Sequence, residues 1–361
     1  MVTARECVVL QGGSAPAARE ASRRAGELVL DGQAPSVDEA LALAAEIGGR
    51  TPRPAEGSTV ALWEVLACLG ATDLTVARVL EPHLDALTIL HEARRQGVGP
   101  EEPWPDDATW GVYAAEGRGG RLVGSQHPDG HWELDGPKPW CSLAGHVSHA
   151  LVTAWVGEGR RLFAVALRQP GVEVQPAEHW VSRGLSQVTS TGLTFAGVPA
   201  VPVGEVDWYL TRPGFAWGGA GVAAIWFGAS VALARRLHDA TQVRPPDHVA
   251  LMHLGAVDAA LSRARAVLVD AAAVADSGAG AAAADLTCLR VRQVVADTAH
   301  EVLDRVGAAL GPGPLTSEEE HARRVADLTV YLRQHHGERD QARLGSSLSA
   351  DGPDGEAWAW W

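Results

Sequence analysis

The sequence predicts an α+β fold in three parts: an N-terminal helical domain, a middle domain built as a β-sheet or small barrel, and a C-terminal four-helix bundle. Three observations predict it. Apolar residues recur at three- and four-residue spacing on both flanks, most densely in the Ala-rich C-terminal half. Between Trp110 and Asp207 the pattern changes to short β-branched or alternating runs separated by Gly, Pro and Asp-Gly pairs. The stretch EEPWPDD, Glu101 to Asp107, has two prolines and no periodicity, so a boundary falls there. The expected parts are residues 1–108, 109–211 and 212–345, with a tail over 346–361.

In chain order, SVDEALALAAEIGG reads as a helix capped by Ser36 and stopped at Gly48 and Gly49. Ser58 and then Thr72-Asp73 are the next expected caps, because a short side-chain oxygen can accept from the first free N–H groups of a helix. Pro82 predicts an interruption one turn into the second of these helices. TWGVYAAE, HWELDGPKPW, HALVTAWVG, RLFAVALRQ, GVEVQPA and TSTGLTFAGVPA read as strands of an antiparallel sheet or barrel. Four long helices follow, broken at Pro245-Pro246 and at Gly311–Leu315. Glu318, Glu319 and Glu320 stand where a helix N-terminus favours negative charge. The polar stretch from Gly345 onward reads as coil, with the final Trp cluster docking on the body.

The bulk numbers exclude some functions. Of 361 residues, 46% are hydrophobic and 20% charged, an ordinary globular composition. A net charge of -14 without a basic stripe argues against nucleic acid, which needs clustered Lys and Arg. Cys7, Cys68, Cys141 and Cys288 form no C-x-x-C pair, so no metal site is read from them and reduced thiols in a cytoplasmic protein are expected. MVTARECVVLQGG lacks the apolar core of a secretory signal, and no run reads as a span of ~20 apolar residues, so no membrane is expected.

The central stretch DGHWELDGPKPWCSLAG, Asp129 to Gly145, is more specific. With the helix–sheet–helix order and the sizes of the parts, it resembles the acyl-CoA dehydrogenase family. That family carries a "dG-x-x-l-n-G-x-K-x-W-I-T/S-n-a" hairpin in its middle domain. Asp135-Gly136 would be its tight turn, Lys138 its lysine, Trp140 its tryptophan and Ser142 its hydroxyl. The segment from Leu162 to Pro202 resembles the strands that follow, and the likeness runs over about residues 60–345.

The resemblance implies a flavin between sheet and bundle, with FAD the usual form and FMN or no flavin left open. It implies α,β-dehydrogenation of an acyl thioester or similar small substrate. It also implies a homodimer or homotetramer, a hetero-oligomer remaining open. An isoalloxazine ring needs an aromatic wall and donors at its polar edge, which Trp140 and Ser142 can supply. As residues alone, Trp132, Trp140 and Trp155 read equally as packing aromatics of a sheet.

Several family positions differ here. In YAAEGRGG, Ala115 stands where the family has Thr, Glu116 falls on its Glu, and Gly117 on its Pro. Glu116 reads equally as a plain strand-end carboxylate. Arg244 keeps a nucleotide-binding arginine, but Pro246-Asp247 replaces Phe-Gly. Asp304 replaces a Gln and Gly307-Ala308 two glycines, and an acid beside a pyrophosphate is unfavourable. Neither usual catalytic glutamate is present: one position falls near Gly218 or Gly219, the other near His335, with Glu338 three residues beyond. His335 and Glu338 are therefore the candidate bases. His335 with Ser142 also resembles a pair that recurs in flavin oxygenases of this fold. The stretch QHHGERD reads otherwise as a solvated helix end. A non-catalytic subunit is the third alternative.

Overall fold

The computed structural model describes residues 7–29, 35–100, 104–117, 119–243 and 245–351. Helices α1 (Pro16–Leu28), α2 (Val37–Gly48), α3 (Thr59–Thr72) and α4 (Leu74–Arg95) form the first part. Ser36 closes a capping box with Glu39, as its sequence predicts. Asp73 caps α4 by accepting from Thr75 and Val76 N–H. At Ser58 the expected cap is replaced. Its side chain caps nothing, and the carboxylate of Asp276, 217 residues on from Thr59, accepts from the N–H and hydroxyl of Thr59.

Helix α4 runs through Pro82 without a break. Pro in a helix interior costs ~3 kcal/mol. Here α4 is packed on two sides, with Leu74, Val76, Val79, Leu80, Ile89 and Leu90 buried, and that burial outweighs the lost hydrogen bond.

The middle part holds β1 (Trp110–Tyr113), β2 (Val123–Gln126), β3 (Trp132–Lys138), β4 (His149–Val156), β5 (Gly159–Ala166), β6 (Val172–Val174) and β7 (Leu193–Val203). The pairings β4–β2–β3–β7–β5–β4 close a ring, with β1 added to β4 and β6 to β7. The sheet is not wholly antiparallel: β1 runs parallel to β4, pairing Trp110 with His149. Strand β2 carries too few apolar residues to be read from sequence.

Asp135-Gly136 is not the hairpin turn either. It sits inside β3 at a bulge, where Gly136 has φ +114° and a Cβ would lie 2.4 Å from the Arg121 carbonyl. The turn is at residues 127–131, closed by Gly130 N–H to His127 O at 2.9 Å and His127 N–H to His131 O at 2.9 Å.

Helices α5 (Trp208–Thr211), α6 (Pro213–Val243), α7 (His248–Asp276), α8 (Ala281–Leu310), α9 (Gly313–Ser317), α10 (Glu319–Tyr331) and α11 (Glu338–Asp351) complete the chain. Helix α11 covers residues expected as coil. Within α6, Gly214–Val243 is long and apolar enough to cross a membrane, but 78% of the most apolar window is buried inside the protein. It is the central core helix. It crosses α3 at contact: a Cβ on Gly70 would meet Ile225 O at 2.4 Å, and one on Gly228 would meet Ala67 O at 1.9 Å.

Candidate active site

The candidate site forms where α4, α6, α8 and α10 meet the loop between β3 and β4. That loop alternates. Cys141 and Leu143 are buried, and their N–H groups bond Thr191 O at 2.8 Å and Thr189 O at 2.7 Å. Trp140 and Ser142 take the other phase. Trp140 leaves 60% of its surface exposed and adopts φ +59°, a conformation an L-residue holds only under constraint.

Ser142 Oγ lies 2.8 Å from Ser190 Oγ and accepts from Arg78 Nη2 at 3.3 Å. The hydroxyl of Tyr113 donates to the Ser142 carbonyl at 2.9 Å.

Arg78 connects this loop to one face of α4, on which Arg78, Glu81 and Asp85 follow at helical spacing. Arg78 Nη1 bonds Glu81 Oε2 at 3.0 Å, and the Glu81 side chain is only 15% exposed. Burial pushes the Glu81 carboxyl up to about 7. Arg78 and then Arg292 oppose this, and Asp85 reinforces it. Burial also raises Asp85, with Arg212 opposing and Glu92 reinforcing.

The row continues through aromatic rings. The Arg78 guanidinium is 5.8 Å from the Tyr331 ring centre, Tyr331 is 6.2 Å from Trp226, and Trp226 is 6.3 Å from His335. Arg292 lies 4.9 Å over Trp226 and donates to the carbonyls of Gly219 and Gln334 at 2.8 and 2.7 Å. The Tyr331 hydroxyl, Trp226 Nε1 and His335 Nε2 are buried without a hydrogen-bond partner among the described residues, His335 Nε2 standing 3.9 Å from Asp340 Oδ2. Buried donors normally have one. Three along one row are a ready set of contacts for a ligand.

Of the residues singled out from sequence, the fold brings Ser142 and His335 to this row, and Trp140 stands exposed two residues before Ser142. The His335 side chain is 6% exposed, and burial, then Arg292, pulls its pKa below the usual range. It is a neutral buried imidazole and not a solvated helix end. Glu338 is exposed in the first turn of α11.

Ala115 is exposed beyond β1. Glu116 spends both oxygens inside the sheet, on Lys138 Nζ at 2.9 Å and Trp155 Nε1 at 3.1 Å. Lys138 is buried and also holds Thr153 O and Oγ1 at 2.8 and 2.9 Å, so this pair ties strands together. Asp304 is exposed on α8, and Gly307 has open space where a Cβ would be. Arg244 lies outside the described residues.

Sequence reasoning missed Arg78, Glu81, Asp85, Tyr331 and Arg292. The signal for the first three was the R-x-x-E-x-x-x-D spacing, hidden by the expected break at Pro82. At Gly218, where a carboxylate was sought on α6, a Cβ would stand 3.1 Å from Asp85 Oδ1. The space in front of the bare glycine holds an acid delivered from α4.

No protein-family pattern matches the sequence, and no curated protein matches it. Solved structures do match the fold. KijD3 in complex with FMN and dTDP-3-amino-2,3,6-trideoxy-4-keto-3-methyl-D-glucose superposes with TM-score 0.75 at 19% identity, covering 94% of this chain and 95% of that one. Butyryl-CoA dehydrogenase from Megasphaera elsdenii gives 0.74 at 17%, covering 94% and 99%. Glutaryl-CoA dehydrogenase from Mycobacterium smegmatis gives 0.76 at 18%, covering 93% and 95%. The chain has the acyl-CoA dehydrogenase fold.

Proposed function

We propose that this protein is a flavin-dependent oxidoreductase that removes a proton from carbon next to a carbonyl, on an acyl thioester or a similarly activated small substrate. The observation that carries this reading is the buried Glu81 carboxyl, held between Arg78 and Asp85 in the row that runs from Ser142 to Tyr331. A base is most useful with a pKa near the working pH, and burial brings Glu81 there. Asp85, opposite Gly218, is the second carboxylate of the pair.

The residues present fit a flavin edge. Trp140 offers an exposed aromatic face, and the Ser142 hydroxyl, whose partner Ser190 donates onward to Val188 O at 3.1 Å, can turn its proton from Ser190 to a bound flavin. Tyr331 supplies an unpartnered donor for a substrate carbonyl oxygen, which would acidify the neighbouring C–H. Arg78 orients Glu81 and Ser142 together. Neutral His335 and Trp226 close the far end against water. A bound flavin would accept the hydride. The polar lining supports a compact, oxygen-bearing substrate over a long alkyl chain.

A second reading is an oxygenase that takes reduced FMN from a separate reductase. It is supported by Ser142 and His335 on one row, by Asp304 staying exposed and acidic, and by FMN in the KijD3 complex. The deciding experiment is a visible absorbance spectrum of the purified protein, alone and with FAD or FMN. Bound-flavin bands that bleach anaerobically with an acyl-CoA thioester support the dehydrogenase. Oxygen uptake with reduced FMN supports the oxygenase. A protein that binds neither FAD nor FMN and takes up no oxygen with reduced FMN overturns both readings.

A further inference from the structure

The hairpin of β2 and β3 carries a second constellation, away from the row described above. Its turn brings His127, His131 and Glu133 together, one ligand atom from each lying within 4.8 Å of the others. His127 Nε2 is 2.9 Å from Glu133 Oε2, and His131 Nε2 is 3.5 Å from Glu133 Oε1. The two imidazoles stack at 4.2 Å between centroids and 9° between planes, so both present nitrogens toward the same carboxylate.

We propose that this hairpin tip is a binding site for a borderline divalent metal ion of the Zn(II) class, held by His127, His131 and Glu133. Two imidazoles and one carboxylate are a donor set suited to such an ion. At metal–ligand bonds of about 2.1 Å, tetrahedral ligand atoms stand roughly 3.4 Å apart. The separations here reach that geometry by small side-chain rotations.

The backbone beneath is set in advance. The turn is closed by its two hydrogen bonds, and Glu133 lies in β3, paired with Ser125 and Pro199 on either side. The outer shell is present as well. Asp129 accepts from His131 Nδ1, which leaves Nε2 as the free lone pair on the side facing Glu133. A carboxylate behind a ligating histidine fixes its tautomer and strengthens it as a ligand.

His131, Gly130 and Gln126 also form one end of a groove of about 700 Å³ that reaches Arg161 and Pro199. The groove gives water or a small anion access to the His131 side of the site. This site stands independently of the flavin reading.

The test is titration of the tag-free full chain with Zn(II) alone by calorimetry, and with Co(II) alone by visible spectroscopy. One ion per chain and the intense bands of tetrahedral Co(II) are expected. His127→Ala and His131→Ala should each weaken binding more than about tenfold, and Asp129→Asn by about tenfold through loss of the outer shell. Asp129 and His131 are exposed and His127 is half-buried, all three at the hairpin turn, and circular dichroism checks that the variants stay folded. Absence of binding overturns the proposal. So does binding that both histidine variants leave unchanged, which would place the ion on other groups.

Discussion

Glu81 shows what burial does to a single carboxyl. Its folded-state pKa is raised to about 7 from 4.5, so the folded protein holds this proton more tightly than the unfolded chain between those values. Stability from this group is therefore full below pH 4.5 and falls as pH rises to about 7. The loss is on the order of 3 kcal/mol. Glu81→Gln should flatten that part of the stability profile and hold the higher level at pH 8. Urea melts from pH 4 to 8 check it, and an unchanged slope would remove Glu81 as the titrating group. Trp140 yields a separate expectation. Because its ring is exposed and unneeded by the core, Trp140→Ala should leave the melting temperature nearly unchanged and weaken FAD or FMN binding at least about tenfold. Equilibrium dialysis with each flavin reads this directly.

Among elements, the crossing of α3 and α6 depends on two glycines facing each other's backbones. Gly228→Ala places a methyl within 1.9 Å of the Ala67 carbonyl, so the helices must separate. The expected cost is about 3 kcal/mol or more, seen as a large fall in melting temperature. A variant as stable as the parent would show that the crossing gives way easily. The N-terminal segment is tied to α3 by side chains. Glu64 accepts from the N–H groups of Leu10, Gln11 and Ala15, and Cys7 Sγ lies 2.7 Å from Cys68 Sγ. Hydrogen bonding from Cys68 lowers Cys7 to about 7, which makes it the thiolate of the pair near neutral pH. All four cysteines are buried, but only Cys7 and Cys68 touch, and burial raises the Cys141 and Cys288 thiols to about 12 and about 11, so glutathione disulfide should oxidise Cys7 and Cys68 to one internal disulfide and leave Cys141 and Cys288 as thiols. Peptide mapping without reductant identifies the bond. Stable glutathione adducts instead would refute the pairing. Spacing alone could not show this pair, because 61 residues separate the two cysteines.

At the scale of the whole molecule, the start of α7 exposes Val249, Leu251 and Met252, each 46–52% accessible. Such a patch on the C-terminal bundle is expected to be covered by a second copy. Light scattering should give a homo-oligomer, and Met252→Glu should shift it toward monomer. A monomeric parent protein would refute this. The order of the parts was readable because it rests on periodicity, which each segment carries within itself: 3.6 residues for the flanks and two for the strands. The two acids of α4 were not readable as a site. Their meaning depends on Tyr331, Arg292 and Gly218, brought beside them from at least 130 residues further along the chain.

The sequence by itself determined the three-part α+β order and the caps at Ser36 and Asp73. These follow from local pattern and short-range hydrogen bonds. Only the tertiary structure decided that α4 passes through Pro82, that Asp135-Gly136 is a bulge, and that Asp276 caps α3. It also decided that His127, His131 and Glu133 converge, a grouping that a search by cysteine spacing passes over. Each of these depends on burial or on a partner distant in sequence. Packing energy there exceeds the local preference of any one residue.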